Sequence, residues 1–201
     1  IGCGNGMRLA PLADVGWSIE GQEIDPISAA IASKNGIMVH LGSLEDINLP
    51  AASYDAIVMN HVIEHVYDPI KLLVECQRLL SSNGVLVAVT PNINSYGHRT
   101  FKMHWRGLEP PRHMILHGQK SLRHLAQRAG FKNPVTWTTA ANAHHFALDS
   151  LKIMRSGIHL NVFSKALLNF RSKLFLLTAR VVQAFDKDSG EECVLMLKKD
   201  G

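Results

Sequence analysis

Short apolar runs alternate with amphipathic segments along the first two thirds of the chain. Near-continuous apolar runs at 54–60 and 85–90 are typical of strands buried in a parallel sheet. The segment 69–80 carries apolar residues at helical spacing and is followed by Asn83-Gly84, which ends the predicted helix. Further strands are predicted at 18–25, 37–41, 131–137 and 192–198, and further helices at 27–34 and 121–129. This alternation predicts a doubly wound α/β fold built on a parallel sheet.

The composition fits a globular domain with a sizeable core. Apolar residues make up 46% of the 201 residues, which argues against disorder, and the length suits one domain. The three cysteines, Cys3, Cys76 and Cys193, are widely spaced and form no C-x-x-C pair. We therefore predict no disulfide framework and no metal site, and we expect a cytoplasmic protein.

The chain opens on Ile1-Gly2-Cys3-Gly4-Asn5-Gly6, with glycines at alternate positions ahead of a predicted helical turn. Glycine accepts positive φ and lets a ligand lie against the backbone. A glycine turn between a strand and a helix also leaves N–H groups free for a ligand. An ordinary tight turn is the alternative interpretation.

An acidic strand end follows about twenty residues after the glycines, as in other nucleotide-binding α/β folds. Its carboxylates are Glu23 and Asp25. A carboxylate at this place can accept hydrogen bonds from both hydroxyls of a ribose. Glu23 is the first choice for that role and Asp25 the second, and a solvated strand end is the alternative.

The spacing G-x-G-x-G differs from the dinucleotide fingerprint G-x-G-x-x-G and resembles the first motif of class I S-adenosylmethionine-dependent methyltransferases. The stretch His61-Val62-Ile63-Glu64-His65-Val66-Tyr67-Asp68-Pro69 is similar to one in the group that includes the ubiquinone-biosynthesis O-methyltransferases. Thr90-Pro91-Asn92 and Pro111-Arg112-His113 resemble the same group. The resemblance covers residues 1–137 well and 191–199 weakly.

This resemblance implies a Rossmann-like sheet of seven strands, mostly parallel with an antiparallel last strand, and S-adenosylmethionine as cofactor. Family members carry an acidic residue before the glycine run, so we expect the N-terminal strand to be truncated here. We expect a methyltransferase domain at 1–138 plus 190–201, a lid or substrate loop at 92–118 and a helical insertion at 139–189.

The resemblance also implies a set of site residues. Ser43 stands where many family members carry an aspartate that meets the adenine amino group, and Glu45 and Asp46 are the candidate substitutes. The predicted cofactor-binding residues are Gly2, Gly4, Gly6, Glu23, Ser43, Leu44, Asn60 and His61.

Three further residues are predicted to bind the substrate: His65, Arg112 and His113. An oxygen acceptor needs a base, and imidazole titrates near neutral pH. His113 and His61 are therefore the catalytic candidates, and the sequence does not choose between them. The alternatives are structural histidines and an ion pair for Arg112.

Residues 150–185 contain six basic residues and no acidic one. Their charges exclude a membrane span. We expect a helix packed on its own domain, with a dimer contact or a peripheral contact with anionic lipid as alternatives. Apolar residues recur there at helical spacing, namely Phe163, Leu167, Phe170, Leu174, Leu177 and Val181.

Together these features predict transfer of a methyl group from S-adenosylmethionine to a small molecule, with oxygen favoured as the accepting atom. The acceptor is expected to be lipid-linked or anionic. Nucleic acid is not an expected partner, because 60–63 lacks the aromatic-proline motif of nucleic-acid methyltransferases. A non-catalytic cofactor-binding relative and a nicotinamide-dependent oxidoreductase remain the alternatives.

Overall fold

A computed structural model describes residues 1–155 and 162–200 of the chain. The strands are β1 (Glu20–Glu23), β2 (Met38–Leu41), β3 (Tyr54–Asn60), β4 (Leu80–Pro91), β5 (Val135–Thr139) and β6 (Glu192–Lys198). The helices are α1 (Ala10–Asp14), α2 (Pro26–Lys34), α3 (Pro69–Leu79), α4 (Tyr96–Phe101), α5 (Gln119–Arg128), α6 (Ala143–Ile153) and α7 (Val162–Phe185). Short 3₁₀ turns lie at Ile63–His65, Lys102–His104 and Arg106–Leu108.

The strands of these residues form two hydrogen-bonded sheets. β1 and β2 make a parallel pair, and the other four strands follow the order β3-β4-β6-β5. β3 and β4 are parallel, whereas β6 runs antiparallel to both β4 and β5. The α/β class is confirmed and the last strand is antiparallel. A single sheet of seven strands is not confirmed, because no strand within 1–155 and 162–200 links β1 to β3.

The first residues of the chain lie between the two sheets. Ile1 N donates to Val58 O on β3 at 2.9 Å, and Cys3 N donates to Gln22 O on β1 at 3.0 Å. A mostly apolar cavity of about 240 Å³, lined by Trp17, Ile19 and other side chains, separates the sheets beyond these bonds. The glycine turn therefore starts where both sheets meet.

The two larger of three apolar clusters in the described residues hold the rest of the chain around the four-stranded sheet. Leu73 of α3, Leu122 of α5 and Leu195 of β6 are fully buried in the first cluster. The second cluster is aromatic and joins α4, α6 and α7 through Phe101, Trp105, Phe146, Leu151 and Leu168. The predicted loop 92–118 thus contains a helix, α4, which the polar sequence of that stretch did not predict.

The predicted insertion 139–189 contains α6 and α7, and its residues 156–161 lie outside the described residues. α7 packs on its own domain, but through Leu168, Ser172 and Ala179, each 1% exposed. The apolar stripe predicted for packing instead faces outward at Leu167, Phe170, Leu174, Leu177 and Val181; the side chain of Phe163 lies outside the described residues. Over 1–155 and 162–200, none of the helices has both the length and the hydropathy needed to cross a bilayer.

Candidate functional site

The glycine turn is a shaped backbone surface. Gly2, Gly4 and Gly6 all have positive φ, at 63°, 56° and 81°. A Cβ at Gly2 would lie 2.6 Å from Val62 Cγ2, and one at Gly6 would collide with Ile37 Cδ1. A Cβ at Gly4 would meet no atom within 4 Å. Packing therefore explains two of the glycines, whereas Gly4 borders open space that a ligand can occupy.

Glu23 lies directly beside this open space. Its Oε2 accepts a hydrogen bond from Gly4 N at 2.8 Å, and its Oε1 accepts from Ile24 N and Asp25 N at 2.8 and 2.9 Å. A carboxylate offers about four acceptor positions, so Oε2 keeps one for a ligand hydroxyl. Asp25 instead caps α2, accepting from Ile27 N and Ser28 N. Because Asp25 is engaged as a helix cap and Glu23 keeps an acceptor position, Glu23 stays the first choice for binding the ribose. Its ribose contact stays a prediction.

The polar side chains predicted near the adenine already have partners within the protein. Ser43 Oγ donates to Asp46 Oδ2 at 2.5 Å, and Glu45 pairs with Lys71 Nζ at 2.5 Å. Leu44 is buried in the first apolar cluster. The backbone at Ser43 and Leu44 is thus held in place, and their role at the adenine edge stays a prediction.

His61 occupies a strained position at the carboxyl end of β3. Its φ is 55°, a left-handed conformation that a non-glycine residue adopts at a cost. Its Nδ1 lies 3.1 Å from Glu64 Oε1 and its Nε2 lies 2.8 Å from Glu192 Oε1. Glu64 Oε2 also accepts from Thr90 Oγ1 at 3.0 Å, and Asn142 Nδ2 donates to Glu192. Carboxylates from the 3₁₀ turn after β3 and from the start of β6 therefore converge on one histidine, and Thr90 and Asn142 hold these carboxylates in place.

These partners set the charge of His61. Burial by itself lowers the pKa of His61, but the hydrogen bonds to Glu192 and Glu64 outweigh it and raise the pKa from 6.5 to about 9. Burial raises the pKa of Glu64, and the bond to His61 outweighs that effect, so the pKa of Glu64 is lowered. His61 is therefore a cation at neutral pH, with both ring nitrogens donating, and it has no lone pair free for a proton.

The predicted substrate-binding residues form a second histidine group beside the first. The rings of His65 and His113 meet edge to face, with centroids 4.7 Å apart. His65 Nδ1 lies 2.8 Å from Arg112 O, and His113 Nδ1 lies 2.7 Å from Gly107 O. Each ring thus donates Nδ1–H to a backbone carbonyl, which leaves Nε2 as the acceptor nitrogen.

Arg112 and His113 differ in exposure although they are neighbours. The Arg112 side chain is 69% exposed and pairs with Glu109 at 2.6 Å. The His113 side chain is 4% exposed, and its Nε2 lies 3.5 Å from Glu109 Oε2. Met114 N donates to Glu64 O at 2.8 Å, which fastens this segment to the turn after β3. The roles of Arg112 and His113 in substrate binding stay predictions.

Several residues of the site carry little signal in the sequence. The sequence predicts Glu192 only as the start of the last strand, yet Glu192 contacts His61 across 131 positions of sequence. Gln22 accepts from Gly2 N and donates to Gly42 O, tying the glycine turn to the end of β2. Glu191 is fully buried. Two consecutive acids at the start of an apolar strand were the one available hint.

A glycine turn facing an acidic strand end, at the carboxyl edge of an α/β sheet, defines a Rossmann-like cofactor-binding domain. Residues 1–134 match the family described as the methyltransferase domain. The chain belongs to this methyltransferase family, which confirms the predicted class. A probable S-adenosylmethionine-dependent methyltransferase of Mycolicibacterium smegmatis is 36% identical over 93 residues, covering 45% of this chain and 36% of that protein.

Known proteins resemble the chain over different lengths. A ubiquinone biosynthesis O-methyltransferase of Cereibacter sphaeroides is 30% identical over 100 residues, covering 47% of this chain and 40% of that protein. The chain thus spans about two fifths of the length of this curated relative.

Two solved structures share the fold. A SAM-dependent methyltransferase of Thermotoga maritima aligns with TM-score 0.66 and 22% identity over 100% of this chain and 80% of its own. Phosphoethanolamine N-methyltransferase 2 of Haemonchus contortus, in complex with S-adenosyl-L-methionine, aligns with TM-score 0.67 and 14% identity. The alignment covers 100% of this chain and 47% of that chain.

Proposed function

We propose that the protein transfers a methyl group from S-adenosylmethionine to an oxygen atom of a small molecule. One observation carries the proposal: the open surface at Gly4 adjoins the histidine groups through the contact between Gly2 and Val62. His61 precedes Val62, and the turn ending at His65 follows it. A cofactor at the glycines and an acceptor at the histidines would therefore be neighbours.

The residues of the glycine turn and Glu23 fit this cofactor. Gly4 leaves room for a ligand against the backbone, and Glu23 Oε2 offers its remaining acceptor position to a ribose hydroxyl. When bound, S-adenosylmethionine supplies a methyl group already activated on a sulfonium. The work left to the chain is to align the two reactants and exclude water.

An oxygen acceptor must lose its proton as the new carbon–oxygen bond forms. In this proposal His113 Nε2 takes that proton, because His113 Nδ1 already donates to Gly107 O. Glu109, 3.5 Å away, stabilises the imidazolium that results. The name of the Cereibacter relative supports oxygen as the accepting atom.

A transfer assay with labelled methyl groups tests the proposal. The protein is incubated with methyl-labelled S-adenosylmethionine and matched sets of phenols, carboxylic acids and amines, and each product is then treated with hydriodic acid. We expect volatile label, released from methyl ethers and esters. Label found only in N-methylated products would overturn the oxygen acceptor. Cofactor binding without transfer to any set would support a non-catalytic relative instead.

A further inference from the structure

The outward face of α7 is a continuous row of large apolar side chains. Their exposure ranges from 40% at Leu167 to 89% at Phe185, and no other part of the described chain covers them. They recur every three to four residues, so they lie along one side of the helix. The members of this row, here called the α7 stripe, are Leu167, Phe170, Leu174, Leu177, Val181 and Phe185.

The opposite side of α7 fixes the direction in which the stripe points. Leu168 is buried in the aromatic cluster. Phe175 stacks on Tyr96 at 5.1 Å between ring centroids and contacts Phe101 at 5.2 Å. Because the helix is held in this way, turning the stripe inward would require breaking the aromatic packing.

Basic side chains border the stripe on both sides. By the helical period, Lys173 and Arg180 lie along one border and Arg171 along the other, and all three are exposed. Residues 150–185 contain no acid to neutralise them. The flanking acids are already paired, Asp149 with Lys152 and Asp186 with Arg99.

We propose that α7 docks the protein on an anionic lipid surface, with the stripe among the acyl chains and the three basic residues at the headgroups. An apolar row bordered by cations is the arrangement of helices that lie in a membrane interface. A second copy of this chain fits less well, because it would face these cations with cations of its own. The charge pattern therefore selects an anionic surface as the occupant.

Docking through α7 would also bring the candidate functional site close to the lipid. The rings of Trp105 and Phe146 stack at 5.9 Å, and Phe146 lies 6.3 Å from His61. The cluster beneath α7 therefore reaches the candidate site, and a docked protein would hold that site close to the lipid. This consequence, which suits a lipid-linked acceptor, rests on the proposed function; the docking does not.

Sedimentation with vesicles tests the docking without any assay of activity. Vesicles of phosphatidylcholine alone are compared with vesicles that also contain phosphatidylglycerol. We expect binding to the anionic vesicles at low salt and its loss near 1 M salt, where screening shortens to about 3 Å. Equal binding to both kinds of vesicle, or none to the anionic kind at low salt, would overturn the proposal.

Two sets of variants separate charge from apolar contact. Replacing Arg171, Lys173 and Arg180 together by Gln should weaken binding about 100-fold, at roughly fivefold for each basic residue near an anionic surface. The matched control replaces three exposed basic residues elsewhere, Lys34, Lys120 and Arg128, and should bind as the wild type does.

Phe170→Ser combined with Leu174→Ser should also abolish vesicle binding, while the thermal unfolding midpoint stays near that of the wild type because both side chains are exposed. Sedimentation equilibrium gives the remaining check. A dimer that these serines dissociate, together with no vesicle binding by the wild type, would assign the stripe to a second copy.

Discussion

At the scale of single residues, the carboxyl edge of the sheet concentrates charge in a small volume. His61 donates to two carboxylates, of which Glu64 is fully buried and Glu192 is 1% exposed. Removing one member of such a group leaves a buried charge without its partner, which is strongly destabilising. The same strong coupling makes the stability of the fold depend on pH.

The pH dependence of His61 has a definite sign. Its pKa is raised from 6.5 to about 9 in the folded protein, so its stabilising effect is complete below pH 6.5 and is lost as the pH rises through 9. We compare the free energy of unfolding of the wild type with that of His61→Asn. We predict that the difference between them, wild type minus variant, falls by about 2–3 kcal/mol across this window. Asparagine is chosen because it tolerates positive φ. Urea denaturation at a series of pH values measures the difference.

A matched control for this experiment is His124→Asn, because His124 is exposed on α5 away from the carboxylates of the site. Its free energy of unfolding should follow that of the wild type at every pH. A stability difference for His61→Asn that stays constant from pH 6.5 to 9 would show that His61 is not held as a cation.

His113 gives a second prediction at this scale, and it separates catalysis from binding. We expect His113→Asn to lower turnover by about 10²–10⁴-fold, the usual loss for a general base. Affinity for S-adenosylmethionine should stay unchanged, because the ring contacts His65 and Gly107 rather than the glycine turn. Initial rates and calorimetry measure the two quantities.

His98→Asn is the control for His113, since the His98 ring also bonds a backbone carbonyl, Ile93 O at 2.7 Å. His98→Asn should retain turnover, because it disturbs packing without removing the proposed base. A parallel loss of turnover and cofactor affinity in His113→Asn would place His113 in the cofactor pocket.

At the scale of elements, the segment between β4 and α5 is anchored to the start of β6. Glu191 Oε1 accepts from Gly97 N at 2.6 Å, and Oε2 accepts from Trp105 Nε1 at 3.2 Å. Asn92 Nδ2 donates to Asp188 O and Gly190 O. The polar segment that follows Pro91 is therefore fixed by buried hydrogen bonds in addition to the aromatic packing of Phe101 and Trp105.

Glu191 supports a prediction about this anchoring. Burial raises the pKa of Glu191 from 4.5 to about 7, so the folded protein binds an extra proton and loses stability as the pH rises through that window. Glu191→Gln removes this pH dependence and keeps an acceptor oxygen. Glu191→Ala leaves two donors unpaired, at about 1–3 kcal/mol each. Thermal unfolding at pH 4.5 and 7 compares the variants, and equal stability of Ala and Gln would contradict the anchoring.

The strands and helices that the sequence predicted well are those whose burial is local and periodic. β3 and β6 have the predicted bounds, and α3 begins at Pro69 as expected. The hydrophobic pattern predicts these elements because it shows which side of each helix or strand is buried. The same pattern failed for α7, whose leucines occur on both sides, so that the buried side depends on α4 and α6.

The candidate site was predictable only in part, for a related reason. The glycines and Glu23 lie within 25 residues of one another and follow a known spacing. The contacts of His61 with Glu192 and of Gly97 with Glu191 join residues 131 and 94 positions apart. Such contacts follow from the order of strands β3, β4 and β6 in the sheet. This strand order cannot be predicted from a single sequence.

At the scale of the whole molecule, the two sheets place the glycine turn and the histidine groups side by side. The glycine turn is bound to β1 by Cys3 and to β3 by Ile1. The aromatic cluster then joins the histidine edge to α7. The proposed function therefore depends on which ligand the glycine turn accepts.

Calorimetric titration of this protein with S-adenosylmethionine and with NAD tests that claim most directly. We predict binding of S-adenosylmethionine and none of NAD. Glu23→Ala should weaken that binding by about 1–3 kcal/mol, the usual loss for a hydrogen bond to a charged group.

Gly4→Ala should abolish binding of S-adenosylmethionine, because a methyl group there would fill the ligand's space. Gly16→Ala is its control, since Gly16 also has positive φ and an open surrounding but lies beyond α1. It should bind normally. Tight binding of NAD without S-adenosylmethionine, or normal binding of S-adenosylmethionine by Gly4→Ala, would contradict the account.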